Sequence, residues 1–263
     1  MKNKKIMVLV IIFAILIISI FSFNLLKSNK YSNDTIGSLA YNYTKNEEIV
    51  YLLEDGKYIP YIVLHNNYSN NSDTLLLRKN VIGNDEYYTG YNGSIMTEKI
   101  YKSHLEMSNF ENYENTAVDN VFPQKFEQNF LNIINNTKLS LSLYNNGDYN
   151  NSAINRKFFI LSFLELNTTD TWKNQSANKT RLKYFENDNK RVAKNDAGIT
   201  VVYWTRTYAW SGFGAVGLNG SIITETSSEA KYGVRPALTI NSNTKIKKVY
   251  NQDYNKEIWI LDI

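Results

Sequence analysis

The sequence predicts an α+β domain preceded by one transmembrane helix. Three observations support this prediction: an uncharged apolar run near the N-terminus, strand-like segments on both sides of the middle of the chain, and a helical repeat of apolar residues between them. Hydrophobic residues make up 43% and aromatic residues 14% of the chain, which is enough for one sizeable core. We therefore predict an anchor with a basic tip over residues 1–30, a polar stalk over residues 31–46 and a folded domain over residues 47–263.

The N-terminal apolar run extends from Ile6 to Leu26 without a charged residue. As a helix of about 21 residues it would span about 31 Å, close to the thickness of the hydrocarbon core of a bilayer. Lysines are denser before the run than after it, so the positive-inside rule places the N-terminus in the cytoplasm and the domain outside. We expect a single-pass protein of the cell membrane, bound to it through residues 6–26. A cleaved signal peptide is the alternative, although Ser38-Leu39-Ala40 lies too far downstream for a cleavage site.

Strand-like segments form two groups in the exported part, each rich in β-branched and aromatic residues. In the first group, the turn Asp55-Gly56 and an Asn/Ser cluster separate three segments. These segments cover residues 49–53, 58–66 and 73–81. The second group covers residues 157–162, 200–208, 213–217, 221–226, 234–240 and 257–262.

A helical pattern lies between the two groups of strands. Phe122, Phe126, Phe130 and Ile134 recur every four residues, and Pro123 stands at a suitable first helical position. This spacing predicts an amphipathic helix. Weaker helical patterns cover residues 101–110 and 176–185. Strands, then helices, then strands favour an α+β fold over alternating βαβ units.

Charge and composition exclude several classes of function. The net charge of +4 is misleading, because residues 1–30 carry five lysines and no acidic residue, which leaves −1 for the rest of the chain. A nucleic-acid surface is therefore not expected. The chain has no cysteine, which excludes disulfides, thiolate zinc and a cysteine nucleophile. The two histidines, His65 and His104, have no other ligand at metal-binding spacing, so we predict neither a metal nor a cofactor.

No catalytic motif emerges from the sequence. It contains no P-loop, no dinucleotide fingerprint and no G-x-S-x-G motif. A pair of carboxylates at hydrolase geometry is conceivable, but the acidic residues are scattered and their separation in space does not follow from the sequence. We therefore name no catalytic residue and expect a protein that is not an enzyme.

The stretch from Tyr203 to Gly214 is the most informative part of the chain. Strand alternation predicts that Trp204 and Arg206 belong to the core. Tyr208, Trp210 and Phe213 are expected in the loop after the strand, where aromatic rings beside glycines form a platform for a sugar or a peptide. These three residues are our predicted ligand-binding residues.

Three motifs stand in the C-terminal part: Trp204-Thr205-Arg206-Thr207, the turn Leu218-Asn219-Gly220-Ser221-Ile222, and Gly233-Val234-Arg235-Pro236-Ala237-Leu238. Together they resemble an uncharacterised bacterial family, domain of unknown function 6273. The family pattern often has another aromatic residue and Ser-Pro around the Trp–Arg pair, where this chain has Tyr203 and Thr207. The missing proline leaves the loop after Thr207 less constrained.

Upstream segments fit the same family, and the resemblance covers roughly residues 47–240. Tyr61–Leu64 with Leu75–Leu77 is similar to its paired early strands, and Lys157–Ser162 with Glu165 is similar to its later strand step. The resemblance implies a fold like that of C-type lectins and formylglycine-generating sulfatase-modifying factors. The activity of the latter requires cysteines, which this chain lacks. It also implies structural roles for six residues: Trp204, Arg206, Gly220, Gly233, Arg235 and Pro236.

Taken together, these observations favour a membrane-anchored extracytoplasmic binding or adhesion module. Its ligand would be a glycan or a surface protein. A hydrolase of cell-wall or surface polymers that uses paired carboxylates is the first alternative. A structural subunit of an envelope complex is the second.

Overall fold

The computed structural model describes residues 31–82, 122–145, 148–168, 180–209, 212–224 and 232–263. The chain divides into two compact units, Met1–Asn33 and Asp34–Ile263. All elements of the fold discussed below belong to the second unit.

The described part of this unit is built mainly from twelve β-strands. In chain order they are β1 (Ile49–Glu54), β2 (Lys57–Asn66), β3 (Asp73–Arg78), β4 (Thr137–Asn145), β5 (Asp148–Arg156), β6 (Phe158–Phe159), β7 (Tyr203–Ala209), β8 (Gly212–Val216), β9 (Ile222–Ile223), β10 (Ala237–Asn241), β11 (Ile246–Asn251) and β12 (Lys256–Leu261).

Seven of these strands form the central sheet, in the order β11-β12-β1-β2-β3-β10-β6. Only β1 and β12 run parallel, and the other neighbours are antiparallel. The β1–β2 connection is a tight hairpin in which Asp55 and Gly56 both have positive φ, at 48° and 76°. This geometry is that of a type I′ turn, for which Asp-Gly is a preferred sequence. A three-stranded sheet, β7-β8-β9, and the β4–β5 hairpin complete the strand topology.

The middle of the central sheet is buried on both faces. Strand β3 has no exposed residue, and its neighbouring side chains enter opposite cores: Leu76 packs in one, whereas Leu75 and Leu77 pack in the other. A sheet covered on both faces reads as a continuous apolar run, as this strand does. Because β3 and β10 are antiparallel, the segment that follows β3 and the segment that precedes β10 lie at the same end of the sheet.

Helical segments in the described residues are short. The α-helices are α1 (Tyr41–Thr44), α2 (Gln128–Ile133) and α3 (Asp188–Arg191). The 3-10 helices are Ile36–Leu39, Phe122–Lys125 and Lys183–Phe185. Because strands dominate and no described helix exceeds six residues, the predicted α+β class is wrong, and the domain is mainly β.

The predicted long helix from Phe122 to Ile134 breaks into two pieces. The 3-10 turn ends at Lys125, and Glu127 has an extended backbone with ψ of 154° before α2 begins. The every-four spacing nevertheless buries Phe126 and Phe130, whose ring centroids lie 4.9 Å apart. The spacing therefore reports burial of one face correctly, but a turn followed by a short helix satisfies it as well as one long helix does.

The predicted membrane anchor is not supported. Within the described ranges, no helix is long and apolar enough to cross a membrane. The longest, α2, would cover about 9 Å, whereas the hydrocarbon core of a bilayer is about 30 Å thick. Residues 6–26 lie outside the described residues. The single-pass topology, the signal anchor and the cell-membrane location are therefore not retained.

The other predicted elements have mixed outcomes. The early strands and the last one agree with β1, β2, β3 and β12 to within a few residues. The segment at 157–162 is reduced to β6, and that at 221–226 to β9. The helix predicted over residues 101–110 falls outside the described residues. Of the helix predicted over 176–185, residues 180–185 are described, and they form only the 3-10 helix Lys183–Phe185.

Candidate functional site

A cleft of about 270 Å³ opens beside β2 and the end of β3. We call it the cationic cleft. Six ionisable residues line it: Glu47, Lys79, Tyr184, Lys190, Lys194 and Arg235. Glu47 precedes β1, and Lys79 follows β3. The other four come from the 3-10 helix Lys183–Phe185, from α3 and its C-terminal flank, and from the segment before β10.

Positive charge dominates the lining of the cationic cleft. Among the described residues that line it, four side chains are Lys or Arg, and Glu47 alone is acidic. The rest of the chain after residue 30 carries a net charge close to zero, so this excess is local. A concave surface lined by one sign of charge raises the local concentration of ligands with the opposite sign.

The carboxylate of Glu47 shows how the cleft holds an anion. Lys79 Nζ lies 3.0 Å from its Oε1, and Lys190 Nζ lies 3.3 Å from its Oε2. The hydroxyl of Tyr184 donates a hydrogen bond of 2.6 Å to Oε2. Three donors from three separate segments thus converge on one carboxylate.

The electrostatics of Glu47 and Tyr184 follow from these contacts. Partial burial opposes ionisation of Glu47, but the hydrogen bond from Tyr184 and the two lysine ammonium groups outweigh it and lower its pKa to about 2. Burial raises the pKa of Tyr184, and its bond to the Glu47 carboxylate raises it further. At neutral pH the cleft therefore contains an ionised Glu47 and a neutral Tyr184.

Arg235 is the buried cation of the cleft. It is 4% exposed, and its Nε donates a hydrogen bond of 3.0 Å to the carbonyl oxygen of Arg78. Its guanidinium carbon lies 5.6 Å from the centre of the Tyr203 ring. Its Nη1 has no hydrogen-bond acceptor among the described residues. A buried cationic group with an unfilled donor favours an anion nearby, because leaving such a donor unpaired is costly.

Two arginines fix the walls of the cleft. Arg191 donates from Nε to the carbonyl of Gly220 and from Nη1 to the carbonyls of Leu166 and Phe185, which holds α3 in place. The Lys190 ammonium lies over the Tyr184 ring, 4.8 Å from its centroid. On the opposite wall, Arg78 is buried next to Lys79 and pairs with Glu54 at 3.0 Å.

A second group of charges is fully enclosed and differs from the cleft in character. Arg206 and Glu165 are 1% and 0% exposed at their side chains, and Arg206 Nη2 lies 2.5 Å from Glu165 Oε1. The same carboxylate accepts hydrogen bonds from the Tyr68 hydroxyl and from the Ser162 backbone N–H. Its acceptor positions are occupied and water is excluded, so this pair is arranged to brace the interior and not to meet a ligand.

The predicted ligand residues are only partly described. Tyr208 and Phe213 lie in strands β7 and β8 and pair with each other, so they do not lie in the loop where the sequence placed them. Trp210 lies outside the described residues. The assignment of these residues to ligand binding remains a prediction.

The residues named from the family motifs lie at close contacts. Trp204 is 1% exposed and its ring centroid is 4.8 Å from that of Tyr232. A Cβ on Gly220 would lie 2.0 Å from the Asp188 carbonyl oxygen, and one on Gly233 would lie 2.0 Å from a Val81 methyl group. The carbonyl of Pro236 accepts a hydrogen bond of 2.9 Å from the backbone N–H of Arg78.

Sequence reasoning missed most of the cationic cleft. Only Arg235 was named, and only for an architectural role. Glu47, Lys79 and Lys190 are spread over more than half of the chain and stand in no motif. The described residues contain no group of three or more His, Asp or Glu side chains placed to hold a metal ion. His65 is half-buried, which lowers its pKa, and His104 lies outside the described residues.

Comparison with known proteins identifies a family and nothing closer. Residues 71–242 match the family model described as Domain of unknown function (DUF6273). No curated protein and no solved structure matches the chain. The expected similarity to C-type lectins and sulfatase-modifying factors is therefore not supported by a solved structure.

Proposed function

We propose that this chain, which belongs to the DUF6273 family of domains of unknown function, is a binding module that holds the anionic group of its ligand in the cationic cleft. The observation that carries the proposal is that four cationic side chains line one cleft, where Glu47 is the single acidic residue in the part of the lining that the structure describes. The ligand class is an acidic glycan or an acidic protein segment.

The donors of the cleft suit a carboxylate or a phosphate. Lys79, Lys190 and Tyr184 already surround the Glu47 carboxylate at hydrogen-bond or ion-pair distance. Lys194 adds an exposed charge, and Arg235 adds the positive charge of a buried guanidinium to the lining of the cleft. Charge-assisted hydrogen bonds of this kind are about twice as strong as neutral ones, which supports affinity for a ligand that presents one acidic group.

The size of the cleft favours recognition of a terminal group. Its volume of about 270 Å³ lies just below the lower end, about 300 Å³, of small-molecule sites. A single acidic sugar or an acidic side chain fits such a space, whereas the remainder of a polymer would lie outside it. Binding through one terminal group also agrees with an adhesion-type role.

Binding is favoured over turnover by the state of Glu47. General acid–base catalysis works best when the pKa of the group lies near the working pH. The pKa of Glu47 is about 2 and three donors occupy its oxygens, so it is a weak base at neutral pH. No contact among the described residues favours the hydrolase or the envelope-subunit hypothesis over binding.

The experiment is a ligand panel read by isothermal titration calorimetry on the full chain. The panel holds inorganic phosphate, glucuronate, sialic acid and poly-glutamate, with glucose as the neutral comparison. The proposal predicts binding of at least one acidic compound, no binding of glucose, and affinity that falls with added NaCl because exposed charges are screened.

A matched pair of charge reversals locates the site. Lys194→Glu should weaken binding at least about fivefold, since an exposed charge contributes about 1 kcal/mol. Lys248→Glu changes the net charge equally but lies on β11, three strands away from β2, and should change affinity less than twofold. Equal losses in both variants, or binding of no acidic compound, would reject the proposed function.

A further inference from the structure

The donors that would hold a ligand anion are already engaged by a residue of the chain itself. Lys79, Lys190 and Tyr184 all contact Glu47, at 3.0, 3.3 and 2.6 Å. Those three groups are the ones at which an external carboxylate or phosphate would form its closest contacts. An incoming anion therefore meets a competitor in the cleft before it meets the donors.

The position of Glu47 allows its side chain to leave without disturbing the strand that follows. The adjacent backbone is fixed, because the carbonyl of Glu48 accepts a hydrogen bond of 3.0 Å from Val63 N–H. The Glu47 side chain is 28% exposed, whereas Tyr184 opposite it is 5% exposed. The partly exposed Glu47 side chain needs only a rotamer change to reach water, whereas the buried Tyr184 stays in place.

The two lysines differ from Glu47 in what they would lose. Their own side chains are 43% and 40% exposed, so each has water as an alternative partner. Displacing Glu47 therefore costs the carboxylate its three contacts but leaves no buried donor unpaired once a ligand oxygen has taken its place. The exchange replaces one set of anion contacts with another, so the difference in affinity of the donors for the two anions decides how far it proceeds.

We infer that Glu47 is an internal pseudo-ligand that occupies the cationic cleft in the free protein and must be displaced by the anionic group of the ligand. The inference rests on the proposed function and specifies how the site is controlled. A ligand with a single carboxylate binds more weakly than its contacts with the donors alone would give, because it must first displace Glu47. Ligands with a higher charge density, such as a dianionic phosphate, displace it.

Acidification does not release Glu47 from the cationic cleft in the ordinary pH range. The pKa of Glu47 is about 2, so its carboxylate stays ionised and paired from neutral pH down to well below pH 4. Control of the cleft therefore belongs to the ligand and to ionic strength. Added salt weakens both the internal pairs and the ligand contacts, since both depend on exposed charges.

The test measures binding of inorganic phosphate to the full chain by isothermal titration calorimetry. Glu47→Gln keeps the size of the side chain but removes its charge, and should tighten phosphate binding about tenfold, a difference that corresponds to about 1.4 kcal/mol. Glu48→Gln is the matched control. It removes the same charge at the next residue, whose side chain does not line the cleft. It should change affinity less than twofold.

Further variants keep the outcomes distinct. Glu47→Ala should tighten binding as Glu47→Gln does, which guards against a new hydrogen bond from the amide. Lys194→Glu in the Glu47→Gln background should weaken binding again, which places the phosphate in the cleft. Thermal melts confirm that each variant is folded.

The two proposals fail in different ways. If neither the wild-type chain nor Glu47→Gln binds phosphate or any acidic compound of the panel, both the anion-binding role of the cleft and the pseudo-ligand are rejected. If the wild-type chain binds and Glu47→Gln binds equally or more weakly, the cleft binds anions but Glu47 is part of the receptor and not its competitor. If Glu48→Gln tightened phosphate binding as much as Glu47→Gln does, the effect would come from long-range charge alone. That result would also reject the inference.

Discussion

The buried pair of Arg206 and Glu165 gives the sharpest prediction about stability. Glu165→Gln keeps the shape of the side chain but leaves the Arg206 guanidinium buried without its counter-charge. Both side chains are at most 1% exposed, so no water replaces the lost contacts at 2.5 and 2.6 Å. Removing one partner of a buried ion pair costs about 3–5 kcal/mol of unfolding free energy.

For a domain of this size, that loss corresponds to a drop in melting temperature of about 6 to 20 °C. The free energy is measured by urea unfolding at neutral pH and the melting temperature by differential scanning calorimetry. Asp262→Asn is the matched control, because it makes the same chemical change in an ion pair with Lys247 whose side chains are 51% and 52% exposed. An exposed pair contributes at most about 1 kcal/mol. If Glu165→Gln cost no more than this control, the pair would not brace the interior as argued.

Two further predictions concern a turn and the acid limit of stability. Gly220→Ala should cost at least about 2 kcal/mol more unfolding free energy than Gly198→Ala. Both glycines have positive φ, but of these two only Gly220 would place a Cβ against backbone, at the Asp188 carbonyl oxygen. Urea unfolding of the two variants measures the difference. Because the folded-state pKa of Glu47 is lowered to about 2, its ionised form stabilises the fold above about pH 4.5 and this contribution disappears as the pH falls to 2. Glu47→Gln should therefore be about 1–2 kcal/mol less stable than the wild-type chain at pH 7, after allowance for the partial exposure of Glu47, and equally stable near pH 2. Chemical unfolding at a series of pH values measures this difference. A difference that does not change with pH would contradict the assigned pairing.

Local signals explain why the early strands were predictable from the sequence. The segments of β1, β2 and β3 each have strand-type residues, and Asp55-Gly56 supplies a turn whose positive φ values suit these two residues. Both kinds of information act within a few residues. Such segments are predicted reliably, because no distant contact is needed to interpret them.

The β4–β5 hairpin was missed although its sequence carries a comparable signal. Leu139, Leu141 and Leu143 alternate with polar residues, and Asn146-Gly147 stands between the two strands. Asn-Gly between alternating segments is among the strongest hairpin signals. The strand opposite these leucines, β5, is rich in Asn and Ser, and its low β-propensity concealed the pairing.

The cationic cleft was unpredictable for a different reason. Lys79 and Lys190 are ordinary polar positions in sequence, and Glu47 precedes the first strand. They meet only because β3 is buried in the sheet and because Arg191 ties α3 to distant carbonyl groups. A site assembled by long-range packing from residues with no fixed spacing leaves no local pattern to find.

The boundaries of the family match bear on how ligand choice is encoded. Arg235 belongs to a motif within residues 71–242, and it supports the frame through the Arg78 carbonyl while it lines the cleft. Glu47 lies before the matched range, so the family pattern does not specify it. Lys190 lies inside that range but outside the motifs that carry the resemblance. Among the residues that line the cleft, only Arg235 belongs to a motif that carries the resemblance, whereas Glu47 lies before the matched range. Exchanging Glu47 or Lys190 should change ligand choice without changing the fold, whereas Arg235 should affect both.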